Sequence, residues 1–267
     1  MKKSKKNKKK DNNNLSLIGI SIVALLFVTL IYQYFQLKQG MVELDGDNCR
    51  VDGLFPRETV VLLDSTEALS ESQQVNITNR AEKLVRNSLL HERFTIYALQ
   101  DNPDRFKPSL TLCNPGDGQE KPELLKAKKQ LRAFKKEFEE PMIQSFRDMS
   151  NIESSESSPI MEMLKFVGLR TFAKSDSPDK RLILVSDMVE HTESYSQYRN
   201  RNFDFRSLSA TPYFREMRPS LDGVYINLLY IERASLAEIQ GGDHVTKFWQ
   251  PFARRSGGQI DDITYIN

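Results

Sequence analysis

Apolar residues occur in short continuous runs along most of the chain. The runs are separated by more polar segments, in which apolar residues recur every three to four positions, as in a helix. Two of these runs, Val60–Leu63 and Leu182–Val185, are apolar at every position. Runs without polar alternation are typical of strands buried on both faces of a sheet. Because such strands alternate with helical segments, the pattern predicts an α/β protein with a doubly wound, mostly parallel sheet flanked by helices.

The same spacing predicts the individual elements. We expect strands at Thr59–Leu63, Phe94–Leu99, Ser109–Cys113, Arg181–Val185, Val224–Ile231 and Ile260–Ile266. We expect helices at Glu71–Leu90, Glu123–Met149, Ile160–Phe172 and Val245–Ser256. Pro141 should kink or interrupt the second helix, and Pro159 should lie in the first turn of the third.

An uncharged segment precedes these elements. Seven lysines stand among the first ten residues, and no charged residue occurs from Asn12 to Leu37. The stretch Leu15–Phe35 is apolar and long enough, at about 1.5 Å per residue, to cross a bilayer as a helix. Lysines before the segment, with Lys38 alone just after it, predict a cytoplasmic N-terminus.

The predicted organisation has four parts: a cytoplasmic tail at 1–14, a transmembrane helix at 15–37, a connector at 38–57 and an exported domain at 58–267. We therefore expect a single-pass protein of the cytoplasmic membrane, with a periplasmic or extracellular domain. A cleaved signal peptide is the alternative, and it needs a shorter apolar segment with a small-x-small cleavage site. The sequence Tyr32-Gln33-Tyr34-Phe35-Gln36 offers no such site.

Charge and cysteine content refine this picture. Setting aside the seven lysines and Asp11 of the tail leaves 31 basic and 35 acidic residues, a net charge of −4. The exported part thus lacks a broad basic footprint, and no nucleic-acid partner is expected. Its two cysteines, Cys49 and Cys113, lie in an oxidising compartment under this topology, which favours a disulfide over two free thiols.

Two polar segments allow more than one interpretation. The charged helix at Glu123–Met149 has an apolar face that suits packing on the sheet, although its lysine-rich face could instead dock a partner. The aromatic and arginine residues of Tyr195–Phe214 could stack on single-stranded nucleic acid or glycan, but the pattern favours a packed surface insertion, followed by an interface patch.

The two apolar runs deliver carboxylates and hydroxyls to their ends. Asp64 ends the first run and is followed by Ser65 and Thr66, whereas Asp187 follows the second run directly after Ser186. The carboxyl ends of parallel strands meet at one edge of a sheet, so the two aspartates should lie close together. Hard oxygen ligands of this kind suit Mg²⁺.

This arrangement resembles the von Willebrand factor A (VWA) family and its metal-ion-dependent adhesion site. The resemblance covers most of the exported part. Asp64 matches the leading aspartate of the family's D-x-S-x-S motif, Thr66 matches its first hydroxyl residue, and Asp187 matches the late aspartate. Ala68 falls where the second hydroxyl residue is expected, and Met188 replaces the glycine that usually follows the late aspartate.

The resemblance also implies a loop hydroxyl ahead of a helix, which Ser157 or Ser158 would supply. The implied metal ligands are thus Asp64, Thr66, Ser157 or Ser158, and Asp187, with Mg²⁺ as the cofactor. Because Ala68 removes one oxygen, a degenerate site without metal is the alternative. A further alternative is that the aspartates cap helices or accept hydrogen bonds from loop amides.

Together with the predicted anchor, the resemblance implies a non-enzymatic, membrane-anchored module that binds a protein partner as a component of a multiprotein membrane assembly. The runner-up is a metal-assisted hydrolase that uses Asp64, Asp187 and His191. The sequence places no general-base constellation beside the aspartates and contains no G-x-S-x-G motif, which favours the binding module.

Overall fold

The structure is a computed structural model that describes residues 20, 22–33, 42–64, 66, 68–99, 106–119, 124–149, 157–200 and 204–267. Contacts divide the chain into two compact units, Met1–Glu43 and Leu44–Asn267. The predicted tail at 1–14 and much of the predicted span at 15–37 lie outside the described residues. Among those described, no helix is both long and apolar enough to span a bilayer. Residues 22–33 are helical, with exposed apolar side chains.

The second unit contains one six-stranded sheet in the order β3-β2-β1-β4-β5-β6. Its strands are β1 Arg57–Asp64, β2 Arg93–Leu99, β3 Leu110–Cys113, β4 Asp179–Ser186, β5 Val224–Ile231 and β6 Gln259–Ile266. Every pairing is parallel except that of β2 with β3. The predicted α/β class and mostly parallel sheet are therefore confirmed.

Helices cover both faces of the sheet. They are α1 Glu71–Arg86, α2 Leu124–Phe134, α3 Glu140–Met149, α4 Ile160–Arg170, α5 Phe205–Ser209, α6 Pro212–Met217 and α7 Gln250–Arg255. Residues of α1 and α3 join one apolar cluster, with Val61 and Leu63. Residues of α4 to α7 join a second cluster, with Val60 and Leu62. The run Val60–Leu63 is fully buried because its side chains alternate between these two cores.

Prolines shape two of the helices in the same way. A π-helical turn, Lys135–Glu139, separates α2 from α3 just before Pro141, and another, His244–Trp249, runs into α7 just before Pro251. A proline lacks an amide proton and crowds the carbonyl four residues earlier, and a wider turn accommodates both effects. Pro141 thus interrupts the α-helical pattern while the chain continues as a helix.

Other boundaries differ from the predictions. Helix α1 ends at Arg86 rather than Leu90, and Leu89 and Leu90 are exposed in the following loop. Pro159 is the N-cap residue of α4 rather than a first-turn residue. Phe205 and Phe214 of the aromatic segment are buried and meet edge to face. These two aromatics therefore belong to the main core, whereas Tyr198 is 39% exposed.

The chain enters this unit at the amino end of the parallel strands. Cys49 and Cys113 form a disulfide with an S–S distance of 2.09 Å, which confirms the predicted pairing. Cys113 lies opposite Arg93, the first residue of β2, and its amide donates to the carbonyl of Asp47. The connector from Leu44 is therefore attached where the parallel strands begin, which is the end of the sheet opposite to the one where β1 finishes.

Candidate rim site at the carboxyl end of the sheet

Both predicted aspartates lie at the carboxyl end of the two central strands. Asp64 is the last residue of β1, and Asp187 directly follows β4. Leu63 is paired with Val185, so β1 and β4 end side by side. Asp64 is 4% exposed and Asp187 is 5% exposed. We call Asp64, Ser186, Asp187 and Arg233, with the loops that contact them, the rim.

Hydroxyl and amide groups surround the Asp64 carboxylate. Its Oδ1 accepts hydrogen bonds from the Thr66 amide at 3.0 Å and from the Thr66 hydroxyl at 2.6 Å. Its Oδ2 accepts from Ser186 Oγ at 2.7 Å and from Ser158 Oγ at 3.3 Å. A carboxylate offers about four lone-pair positions. The four donors therefore satisfy Asp64 within the domain.

Asp187 has a cationic neighbour. Its Oδ2 accepts a hydrogen bond from Arg233 Nε at 3.0 Å, and its Oδ1 accepts from the Val189 amide at 2.9 Å. The Arg233 and Asp187 side chains are 13% and 6% exposed, so this ion pair is largely shielded from water. Removing one member of such a pair leaves a poorly compensated buried charge, which is costly.

Arg233 also reaches the loop after β1. Its Nη1 donates to the carbonyl oxygen of Ala68 at 2.9 Å. Gln240 fixes the base of the arginine, since its Oε1 accepts from the Arg233 amide and its Nε2 donates to the carbonyl of Asp187. One guanidinium thus connects the loops that follow β1 and β4 from a position just beyond β5.

The predicted metal ligands meet only some of the requirements of a divalent cation. Thr66 and Ser158 contact Asp64 as a ligand set requires, and Ser157 precedes Ser158 as a half-buried residue. The oxygens of Asp64 are engaged by four donors, and Asp187 is paired with Arg233. Among the described residues, no group of three or more His, Cys, Asp or Glu side chains is arranged to hold a metal. As positioned, these residues do not fit a bound Mg²⁺, whose binding stays a prediction.

Met188, which directly follows Asp187, has a left-handed backbone with φ of 62°. Residues other than glycine rarely adopt this backbone conformation. Its amide donates to Ser186 Oγ at 2.8 Å, and its carbonyl accepts from the Trp249 indole at 2.8 Å. The turn is therefore held at the position where the VWA resemblance places glycine.

Sequence reasoning missed two members of the rim. These are Ser186 and Arg233, neither of which is among the ligands that the sequence predicts. Strand alternation could have found Ser186, because Leu63 and Val185 pair and share one core, which turns the next residues, Asp64 and Ser186, toward the opposite face together. For Arg233, the available signal was a cation two residues after the apolar run Val224–Ile231.

A second polar cluster lies beside the rim. Glu190 is fully buried and accepts hydrogen bonds from the Met161 amide at 2.9 Å and from the Tyr213 hydroxyl at 3.2 Å. Burial raises the pKa of the Glu190 carboxyl to about 8. Burial also raises the pKa of the Tyr195 phenol to about 12, with the Glu190 charge as a second cause. Glu190 therefore holds the start of α4 as a carboxyl group that keeps its proton near neutral pH.

Two histidines follow the strands of the rim. His191 Nδ1 lies 2.8 Å from Ser196 Oγ, which resembles a nucleophile and base pair, but Ser196 is fully buried. His244 Nδ1 lies 2.8 Å from the Tyr230 hydroxyl, and burial lowers the pKa of His244 to about 4. His244 is therefore neutral at physiological pH and supports the packing of Trp249, whose ring it contacts edge to face.

Comparisons with known proteins give distant likenesses. The chain matches no protein-family model and no curated protein. It is similar to the SpRpn10 VWA domain, with 10% identity and a TM-score of 0.37 over 79% of this chain and 86% of that chain. It is also similar to the human COPII-coat protein Sec24c, with 8% identity and a TM-score of 0.34 over 79% of this chain and 30% of that chain. Neither likeness is close enough to assign a family.

Proposed function

We propose that the chain is a membrane-anchored, VWA-like binding module that engages a protein partner through its rim, as a non-enzymatic component of a multiprotein membrane assembly. The observation that carries the proposal is the position of the rim. Its buried carboxylates are held by fixed hydroxyl, amide and guanidinium donors at one edge of the sheet, and the chain enters at the opposite edge. Within the domain, the entering segment and its disulfide thus lie away from the rim.

The membrane anchor is supported by the apolar residues before the domain. Described side chains of residues 22–33 include Leu25, Phe27 and Leu30, which are 70%, 64% and 62% exposed. A helix that is apolar on every side favours an apolar environment over water. Together with the lysine tail, this supports a single-pass anchor in the cytoplasmic membrane, with the N-terminus inside and the domain outside. The Cys49–Cys113 disulfide suits an oxidising compartment.

The rim suits recognition better than catalysis. A hydrolase needs a reactive group that substrate can reach and a base positioned beside it. Asp64 and Asp187 are both committed to internal donors, and Ser196 is buried beneath His191. Two exposed positions at the rim, Ala68 and Ser235, are instead small and suit close contact with another protein.

The proposal is tested by capturing partners of the tagged full-length chain from its native membranes, followed by mass spectrometry. Ser235→Arg places a long charged side chain on the exposed loop after β5 and should abolish capture of the specific partner. Asn87→Arg adds the same side chain to an exposed loop at the opposite edge and should leave capture unchanged. If Ser235→Arg captures the partner as well as Asn87→Arg does, recognition through the rim is refuted.

Hydrolysis is the second candidate, and the His191–Ser196 contact is the observation that favours it. It is tested by incubating the purified chain with generic ester and phosphate substrates and Mg²⁺. Turnover that His191→Gln abolishes, in a variant that melts as wild type does, would replace the binding module with an enzyme.

A further inference from the structure

The rim contains a cation of its own. In the VWA resemblance, a metal ion would connect the loop after β1 with the aspartate after β4. Here the Arg233 guanidinium makes both connections, to the Ala68 carbonyl at 2.9 Å and to Asp187 Oδ2 at 3.0 Å. Ala68 is also the position where the expected ligand hydroxyl is missing. The residue that lacks a ligand side chain is thus held through its backbone by the arginine.

The first aspartate is satisfied without the arginine. The Thr66 amide and the hydroxyls of Thr66, Ser158 and Ser186 donate to the two oxygens of Asp64 at distances from 2.6 to 3.3 Å. A metal ion would have to displace some of these donors, because a carboxylate offers about four lone-pair positions. The hydroxyl groups therefore donate to Asp64 and occupy the carboxylate lone pairs that a directly bound metal ion would need.

Hydrogen bonds of Gln240 fix the backbone of Arg233 next to the Asp187 carboxylate. Gln240 accepts from the Arg233 amide at 2.9 Å, and its own amide donates to the carbonyls of Asp187 and Ile231 at 3.0 and 2.8 Å. With a side chain that is 13% exposed, the guanidinium is a structural part of the rim.

We infer that Arg233 takes the place of the divalent cation, so that the loops after β1 and β4 are joined at the rim without a metal ion. This inference concerns the domain itself. Its extension, that partner capture is insensitive to chelation, rests on the proposed function. The two are separable, because metal binding to the purified chain is measured without any partner.

The test uses the full-length chain in non-ionic detergent. Wild type should melt at the same temperature in EDTA and in 10 mM Mg²⁺, and should bind Mn²⁺, followed by electron paramagnetic resonance, no better than Asp64→Asn does. Arg233→Gln vacates the cation position, so this variant should melt lower in EDTA and regain about 5–10 °C at a hundredfold excess of Mg²⁺ over its dissociation constant. Asn87→Gln, a surface change at the opposite edge, is the matched control and should behave as wild type.

Two results would overturn the inference. The first is a wild-type chain that melts higher in Mg²⁺, with the difference lost in Asp64→Asn. The second is a folded Arg233→Gln variant that gains no response to Mg²⁺, because the arginine would then not occupy the cation's position. If Arg233→Gln does not fold, the Mn²⁺ measurement on wild type decides alone, since Mn²⁺ bound through Asp64 contradicts a rim already closed by arginine.

Discussion

Removing the Cys49–Cys113 disulfide should destabilise the domain by about 4 kcal/mol. The bond joins residues 64 positions apart, and the loop-entropy relation for a closed loop of that length gives about this value at 25 °C. The loop contains β1, α1, β2 and β3, and these three strands form one half of the sheet. Without the bond, the unfolded chain regains the conformational freedom of this whole segment.

The folded state should change little on removal of the bond. Cys113 is fully buried and Cys49 is 5% exposed, in a small cluster with Phe55. Cysteines that have been reduced still fill this space, so wild type in reductant isolates the effect of the cross-link from the effect of a cavity. The double variant Cys49→Ala/Cys113→Ala should then be slightly less stable than the reduced wild type.

The assay is equilibrium unfolding in urea, followed by fluorescence of Trp249. Trp249 is the single tryptophan of the sequence and is 1% exposed in the described structure. For a urea dependence of about 3 kcal/mol per molar, the midpoint should fall by roughly 1.3 M on reduction. The double variant must show no response to reductant. A midpoint shift below roughly 0.3 M would refute the argument, because the bond would then not restrict the unfolded chain.

Three further predictions follow from the rim and the anchor. The Glu190 carboxyl has a pKa of about 8 in the folded domain against an ordinary value near 4.5, so its contribution to stability is full below pH 4.5 and is lost as the pH rises to 8. Glu190→Gln should flatten this pH dependence. In urea unfolding at pH 8, the variant should be more stable than wild type by as much as about 4 kcal/mol. Ser186→Ala removes a donor to Asp64 and the acceptor of the Met188 amide, so it should cost about 1–3 kcal/mol, whereas the exposed Ser235→Ala should stay within about 0.5 kcal/mol. A reporter that is active only outside the cytoplasm should work when it is fused after Asn267, and activity of a cytoplasmic reporter there would contradict the proposed orientation.

The sheet could be predicted from the sequence because its strands bury both faces. Runs such as Val60–Leu63 and Leu182–Val185 carry no polar residue, and β5 begins and ends where the apolar pattern does. The disulfide followed from two cysteines and a predicted exported domain. Helix ends were less predictable, because the π-helical turns before Pro141 and Pro251 change the register of the chain without ending the helix.

The chemistry of the rim could be predicted in part. Asp64, Thr66, Ser158 and Asp187 occupy the edge where strand order places them. The contacts of Arg233 depend on tertiary structure, because its partners lie 46 and 165 positions away along the chain. The local signal, a cation two residues after the apolar run Val224–Ile231, does not by itself distinguish this arginine from a solvated surface cation. The strand-end pattern therefore predicts where charged groups meet, while the fold decides which of them pair.

Site-specific photo-crosslinking in native membranes tests the central claim most directly. A photoreactive residue is placed at Ala68 or Ser235 on the rim, or at Asn87 on the opposite edge, and all three positions are exposed. If the rim is the recognition surface, Ala68 and Ser235 should form the same protein adduct, in EDTA as well as in Mg²⁺, and Asn87 should form none. An adduct at Asn87 with none at either rim position would contradict the account.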